Sequence, residues 1–246
     1  MSMSSGILGL MSGHSKWSTI KRAKAVNDNA RGKVFSKLVR GITMAVKTGG
    51  PDPVSNYRLR VAIEAARAEN MPKETIERAI SRSEEGSALE EIVYEGFGPN
   101  GVGLLVYITT DNRNRTAQEI KNAFEKGGGS LGSPGSVSFN FESKGYLLVE
   151  KSVDISTQML SLIDLGVEDM EEAGEGIEAY TNSHELFSVK EKVEKAGFKV
   201  LAAELIQKPK SQVPVDKKVE DKLLELISSL ESHDDVQKVF DNAAIS

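Results

Sequence analysis

The sequence predicts an α+β protein: a helical N-terminal domain followed by two α+β domains, the later one inserted into the earlier. Three observations predict it. Apolar residues recur at a 3.6-residue spacing over residues 33–47, strands and helices alternate after residue 88, and the last helix and strand complete a set of elements begun before residue 143.

The elements follow in order. Ser15 or Ser18 can cap a helix running to about Ala30, and Gly32 is expected to break it. A second helix, Lys33–Lys47, carries Val34, Phe35, Leu38, Val39, Ile42, Ala45 and Val46 on one stripe and stops at Gly49-Gly50 before Pro51. Lys33, Lys37, Arg40 and Lys47 share another face of it. Gly41 costs ~1 kcal/mol relative to alanine in a helix, yet the stripe continues across it. A third helix follows Asn56, with Leu59, Ala62, Ile63 and Ala66 inward. A fourth starts at NMPKE, where Asn70 is the expected cap, Pro72 sits in the first turn and Glu74 favours the positive end of the dipole. The stretch around Gly86 reads as a linker.

Beyond it, Glu91–Gly96 and Gly103–Thr109 read as strands joined by the Gly-Pro-Asn-Gly turn at 98–101. A helix is expected from Thr116 to Lys126, with Thr116 and Glu119 at capping-box spacing. GGGSLGSPGS reads as a flexible loop and Val137–Phe141 as a strand. Strand Tyr146–Glu150, helix Ser156–Leu165, strands Val167–Glu171 and Ile177–Thr181, helix His184–Ala196 and strand Lys199–Ile206 then spell β-α-β-β-α-β, the ferredoxin-like order. Helix Asp216–Glu231, with Val219, Leu223, Leu226 and Leu230 on one face, and a strand near Val236–Phe240 complete the ββαβ left open earlier. The expected division is a disordered extension or tag at 1–10, a basic helical domain at 11–88, a discontinuous α+β domain at 89–143 plus 212–246, and a ferredoxin-like α+β domain inserted at 144–211.

Charge is unevenly placed along this plan. From Met11 to Thr48 nine basic residues (Lys16, Lys21, Arg22, Lys24, Arg31, Lys33, Lys37, Arg40 and Lys47) face one acid, Asp28. From Gly86 onward 16 Lys/Arg stand against 28 Asp/Glu, a balance of −12. A basic end seeks phosphate, and an acidic body discourages wrapping along a polyanion. The absence of cysteine removes disulfides, thiolate metal sites and cysteine nucleophiles, and fits a reducing compartment. No apolar run approaches the ~20 residues that span a bilayer, so a cytoplasmic protein without membrane contact is expected.

Enzyme chemistry finds little support. His14, His184 and His233 lie far apart and match no metal spacing, the glycine-rich loop lacks the Lys-Ser/Thr of a P-loop, and no carboxylate pair is nominated. Neither metal nor cofactor is expected. GHSKW is more informative. Trp17, the only tryptophan, stands beside His14 and Lys16 ahead of the basic helix, where it can stack on a base or anchor the N-terminus by packing. DNRNRT sets Arg113 and Arg115 before a helix N-terminus; they either hold a phosphate there or bridge domains.

GHSKW, IKRAKAVNDNARGKVFSKL, GGPDP with Asn56 and Arg58-Leu59-Arg60, NMPK with IERAI, YEGFGP, DNRNRT, GGSLG, PGSVSFNF and KGYLLVE together resemble the YebC/PmpR family from Met11 to the end. A common form of the family has a second basic pair with histidine after GHSKW, where this chain has Lys21-Arg22-Ala23-Lys24. The resemblance implies three domains, the last inserted into the middle one, and a role in gene expression. Members have been labelled DNA-binding transcriptional regulators. The family also includes the mitochondrial translational activator of cytochrome c oxidase subunit I, and its bacterial members are associated with ribosomes and relief of stalling at proline-rich stretches. The expectation is a monomeric, non-enzymatic factor binding ribosomal RNA, with duplex DNA as the alternative target and a protein partner for the acidic domains.

Overall fold

The computed structural model describes residues 29–84, 88–174 and 176–245. The expected helix from Ser15 or Ser18, the extension at 1–10, and His14, Lys16, Trp17, Lys21, Arg22 and Lys24 lie outside the described residues. No helix among the described residues is long and apolar enough to cross a membrane.

Among the described residues the head has three helices: α1 (Asn29–Gly49), α2 (Tyr57–Ala68) and α3 (Lys73–Glu84). Helix α1 runs straight through Gly32, which does not break it. The stripe predicted from sequence supplies the reason. Ile42, Ala45 and Val46 are buried against Leu59, Ile63, Ala66, Met71, Ile76 and Ala79, with Phe35, Leu38 and Val39 at the margin. Burial of such side chains contributes roughly 1.5–3 kcal/mol each, which outweighs the glycine cost. Asn56 joins α1 to α2: its amide donates to the carbonyls of Ala45 and Gly50, both at 2.7 Å, and its oxygen caps α2 by accepting from the Leu59 N–H at 3.1 Å. Asn70 is not the cap of α3. It sits at φ 58°, closing α2, with its N–H on the Arg67 carbonyl at 2.9 Å.

The body holds two four-stranded sheets. β1 (Glu90–Phe97) and β2 (Gly103–Thr110) form the expected antiparallel hairpin, turned by Asn100 and Gly101 at positive φ. Then come α4 (Arg113–Lys126), β3 (Ser130–Leu131), β4 (Phe141–Val149), α5 (Ile155–Asp164), β5 (Asp169–Ala173), β6 (Gly176–Asn182), α6 (Leu186–Lys195), β7 (Val200–Pro209), β8 (Val213–Val215), α7 (Lys217–Glu231), β9 (Val236–Asp241) and β10 (Ala243–Ile245). One sheet has the order β3-β1-β2-β9, so the chain returns to it after completing the other, β5-β6-β4-β7. The latter order, with its βαββαβ succession, is the ferredoxin-like arrangement. Its strand β4 begins at Phe141, paired with Pro209, and so runs through the division expected at 143/144. β8 and β10 add a small parallel pair that the sequence reading did not anticipate.

Each sheet is covered by helices on one face only. Val102, Leu104, Val106 and Ile108 meet α4 and α7, while Leu147, Val149, Ile177 and Ala179 meet α5 and α6. The uncovered faces pack against each other through Leu105, Phe240, Tyr146, Leu148, Tyr180 and Ile206.

Two expectations change here. Helix α4 starts at Arg113, capped by Asn112, whose side chain accepts the Arg115 N–H at 3.1 Å; Thr116 is not its cap. Residues 138–140 form a 3-10 turn instead of continuing a strand Val137–Phe141. The cause is Glu95, whose carboxylate takes the N–H groups of Val137 at 2.6 Å and Ser138 at 2.8 Å, donors that a strand ladder would need.

Candidate nucleic-acid interface and the joint between head and body

The basic face of α1 turns toward the body. Arg40 forms an ion pair with Asp235, the residue just ahead of β9, and also donates to the carbonyls of Thr109 at 3.2 Å and Asp234 at 3.1 Å. Lys37 donates to the Glu231 carbonyl, Lys33 pairs with Asp234 at 3.3 Å, and Lys47 donates to the Leu89 carbonyl at 2.9 Å. Burial pushes the Lys37 ammonium down, opposed by the nearby Glu231 and Asp234 carboxylates.

Asp235 is the centre of the joint. Its second oxygen accepts from Arg115 at 3.0 Å, Thr116 at 2.7 Å and Thr110 at 3.1 Å, and the side chain is 3% exposed. Burial works to raise its pKa, but the bonds from Thr116, Arg40, Arg115 and Thr110 outweigh that and hold the carboxyl well below the usual range. One carboxylate therefore binds a head helix and the start of α4 together.

This redirects part of the phosphate-binding expectation. Arg40 and Arg115 are committed to Asp235, Arg115 also to Asp111, and Lys37 to a carbonyl. Arg115 pairs with Asp111 and Asp235 of its own discontinuous domain, and it is Asp235 that reaches across to Arg40 of the head. Lys33 remains 59% exposed beside Asp234, and Arg113 is exposed at the start of α4. The side chain of Arg31 falls outside the described residues. Sequence reading could not find the joint because Arg40 and Asp235 are 195 residues apart.

The joint continues on α2. Arg58 pairs with Glu91 at 3.4 Å, Glu64 with Lys190 at 2.8 Å, Arg60 lies over the Phe187 ring at 5.2 Å, and Tyr57 meets His184 edge-on at 5.2 Å. Where head and both sheets converge, a cleft of about 480 Å³ is lined by Lys37, Gly41, Tyr57, Tyr107, His184 and Phe240, among others.

Glu119, His233 and Asp235 bring one ligand atom each within 4.8 Å. The chemistry of the set does not suit a cation. Both Asp235 oxygens already face guanidinium groups, His233 Nδ1 accepts the Asp235 N–H at 3.1 Å, and its Nε2 bonds Glu119 at 2.8 Å.

Glu95 is the residue that sequence reasoning missed. Buried under the glycine-rich loop, it accepts from the N–H groups of Gly135, Val137 and Ser138 at 2.6–2.8 Å, while its own carbonyl accepts from Gly132 at 2.7 Å. Burial raises its pKa and these amides lower it, with the lowering prevailing. The loop read as flexible is thus pinned from beneath. Only a buried acid in a strand otherwise suited to a half-covered sheet could have signalled it.

Comparison with known proteins places these features. A family model described as the TACO1/YebC protein N-terminal domain matches residues 15–86, and one described as the TACO1/YebC second and third domain matches 89–243. A protein from Persephonella marina is 48% identical over 242 residues, covering 96% of this chain and 97% of its own length, and one from Dictyoglomus thermophilum is 47% identical over 237 residues, covering 94% and 95%; both are called probable transcriptional regulatory protein. The crystal structure of a conserved hypothetical protein, Aq1575, from Aquifex aeolicus superposes with a TM-score of 0.79 at 45% identity, over 89% of this chain and 92% of that one.

Proposed function

Because the chain belongs to the TACO1/YebC family, we propose that it is a non-enzymatic, nucleic-acid-binding regulator of gene expression that acts on the ribosome as a translation factor. The division of charge carries this reading: nine basic residues against one acid over 11–48, and a balance of −12 from Gly86 onward. Such a molecule is drawn to RNA phosphates at its basic end and repelled along most of the rest, so contact begins at the head. With Lys37, Arg40 and Lys47 engaged in the joint, phosphate neutralisation falls to Lys16, Lys21, Arg22, Lys24, Arg31 and Lys33, with His14 beside them and Trp17 available to stack on a base. Binding and positioning do the work, without bond chemistry.

The names of the relatives favour a second reading, a DNA-binding transcriptional regulator. Against it, among the described residues, Lys37, Arg40 and Lys47 of α1 bond to the body, and α3 mixes exposed Glu74 and Glu77 with Arg78 and Arg82. Neither helix offers a free face of a single sign to a major groove. Selection from a random duplex library separates the readings. A DNA regulator prefers one sequence over bulk duplex by ~10³ or more, whereas a ribosome factor enriches no duplex sequence and binds ribosomal RNA instead.

A further inference from the structure

The acidic body carries two acid-free stretches of sequence far along the chain from the basic N-terminal segment. Residues 127–141, GGGSLGSPGSVSFNF, contain no acid and follow Lys126; residues 205–215, LIQKPKSQVPV, contain no acid and two lysines, of which Lys208 is paired with Asp169 and Lys210 is exposed. Hydrogen bonds join the two stretches into one surface. The Lys210 N–H donates to the Asn140 carbonyl at 2.8 Å, the Asn140 amide donates to the Ser211 carbonyl at 2.8 Å, and its oxygen accepts from the Ser211 hydroxyl at 2.7 Å. Lys210 Nζ, exposed, reaches the Phe139 carbonyl at 3.0 Å.

This surface displays an aromatic side chain on a fixed mount. Phe139 is 71% exposed, although nearly every other described aromatic residue is at least half-buried. Phe97, 36% exposed, lies beside Gly132 in the same loop. The mount is rigid because Glu95 holds Gly135, Val137 and Ser138 by their N–H groups, and the glycines leave backbone open to close approach. A preorganised phenyl ring, a neighbouring ammonium and a rim of Ser133, Ser138, Asn140 and Ser211 offer a π face, a phosphate counter-charge and hydrogen-bond partners within one surface. That combination is what an unpaired nucleotide needs.

We infer that the Phe139 loop with Lys210 is a second nucleic-acid contact, in which Phe139 stacks on an unpaired base of single-stranded RNA. The inference rests on the nucleic-acid reading given above and adds a site on the body to it.

The test is fluorescence anisotropy with a labelled single-stranded adenylate RNA, using the full chain and its Phe139→Tyr, Phe139→Leu and Phe139→Ala variants beside Lys21→Glu/Lys24→Glu. Circular dichroism checks that each variant folds, which the exposure of Phe139 favours. The tyrosine variant is expected to bind as the parent does, and the leucine and alanine variants roughly tenfold more weakly at an unchanged salt slope, since no charge is lost. The lysine reversals flatten that slope. Full binding by Phe139→Ala, with loss in the lysine variant, overturns the stacking site and leaves the basic head standing. Full binding by Phe139→Leu overturns stacking in favour of plain apolar contact. No binding by any form overturns both this inference and the reading it rests on.

Discussion

Two arginines and two threonines converge on the carboxylate of Asp235, and the consequences can be read at that one residue. A carboxylate whose folded pKa is depressed contributes stability above its unfolded value of ~3.9, and the contribution drains as pH falls through the folded one. The joint between head and body is therefore expected to keep its full strength from neutral pH down to about pH 5 and to weaken progressively below pH 4. Asp235→Asn should remove that contribution and lower the unfolding free energy by about 2–3 kcal/mol, the scale of lost hydrogen bonds to a charged group. Urea denaturation at pH 7 and pH 3 reads both effects; equal stability of variant and parent at pH 7 would contradict the assignment. Glu95 makes a parallel case. Glu95→Gln turns an amide donor toward N–H groups that need an acceptor, so the amides of Gly135, Val137 and Ser138 should exchange with deuterium faster while the sheet strands stay protected. Neither carboxylate declares its role in the sequence, because their partners are 40–43 residues away for Glu95 and 119–195 away for Asp235.

At the scale of the element, legibility followed periodicity. The stripe of α1, the start of α2 after Asn56 and the β-α-β-β-α-β run were readable because each rests on spacing within a few residues. Gly32 was misread as a stop because the packing of the following turns outweighs a local propensity of ~1 kcal/mol. The turn at 138–140 was misread as strand because an acid from β1 captures its donors. The glycines make opposite predictions. A methyl group at Gly41 meets nothing within 4 Å, so Gly41→Ala should stabilise the head by about 0.5–1 kcal/mol. A methyl at Gly96 in β1 would meet the Phe124 ring at 2.5 and 2.6 Å, so Gly96→Ala should destabilise by about 1–3 kcal/mol. Thermal melts of the pair should move in opposite directions.

The whole molecule is a basic head with an apolar core of its own, fastened to an acidic body through ion pairs, side-chain bonds to carbonyls and the packing of Val61 against the inserted domain. The charge asymmetry was legible from composition, and strand counting suggested the insertion of one set of elements into another. What composition could not show is that several bases of α1 are used internally, which leaves the earlier lysines of the N-terminal segment as the residues on which the functional account depends. The most direct measurement is co-sedimentation of the protein with ribosomes across a salt series, beside the Lys21→Glu/Lys24→Glu variant. The account predicts pelleting that fades with rising salt and is lost in the variant. Absence of pelleting at moderate salt, or pelleting that the variant retains in full, would contradict it.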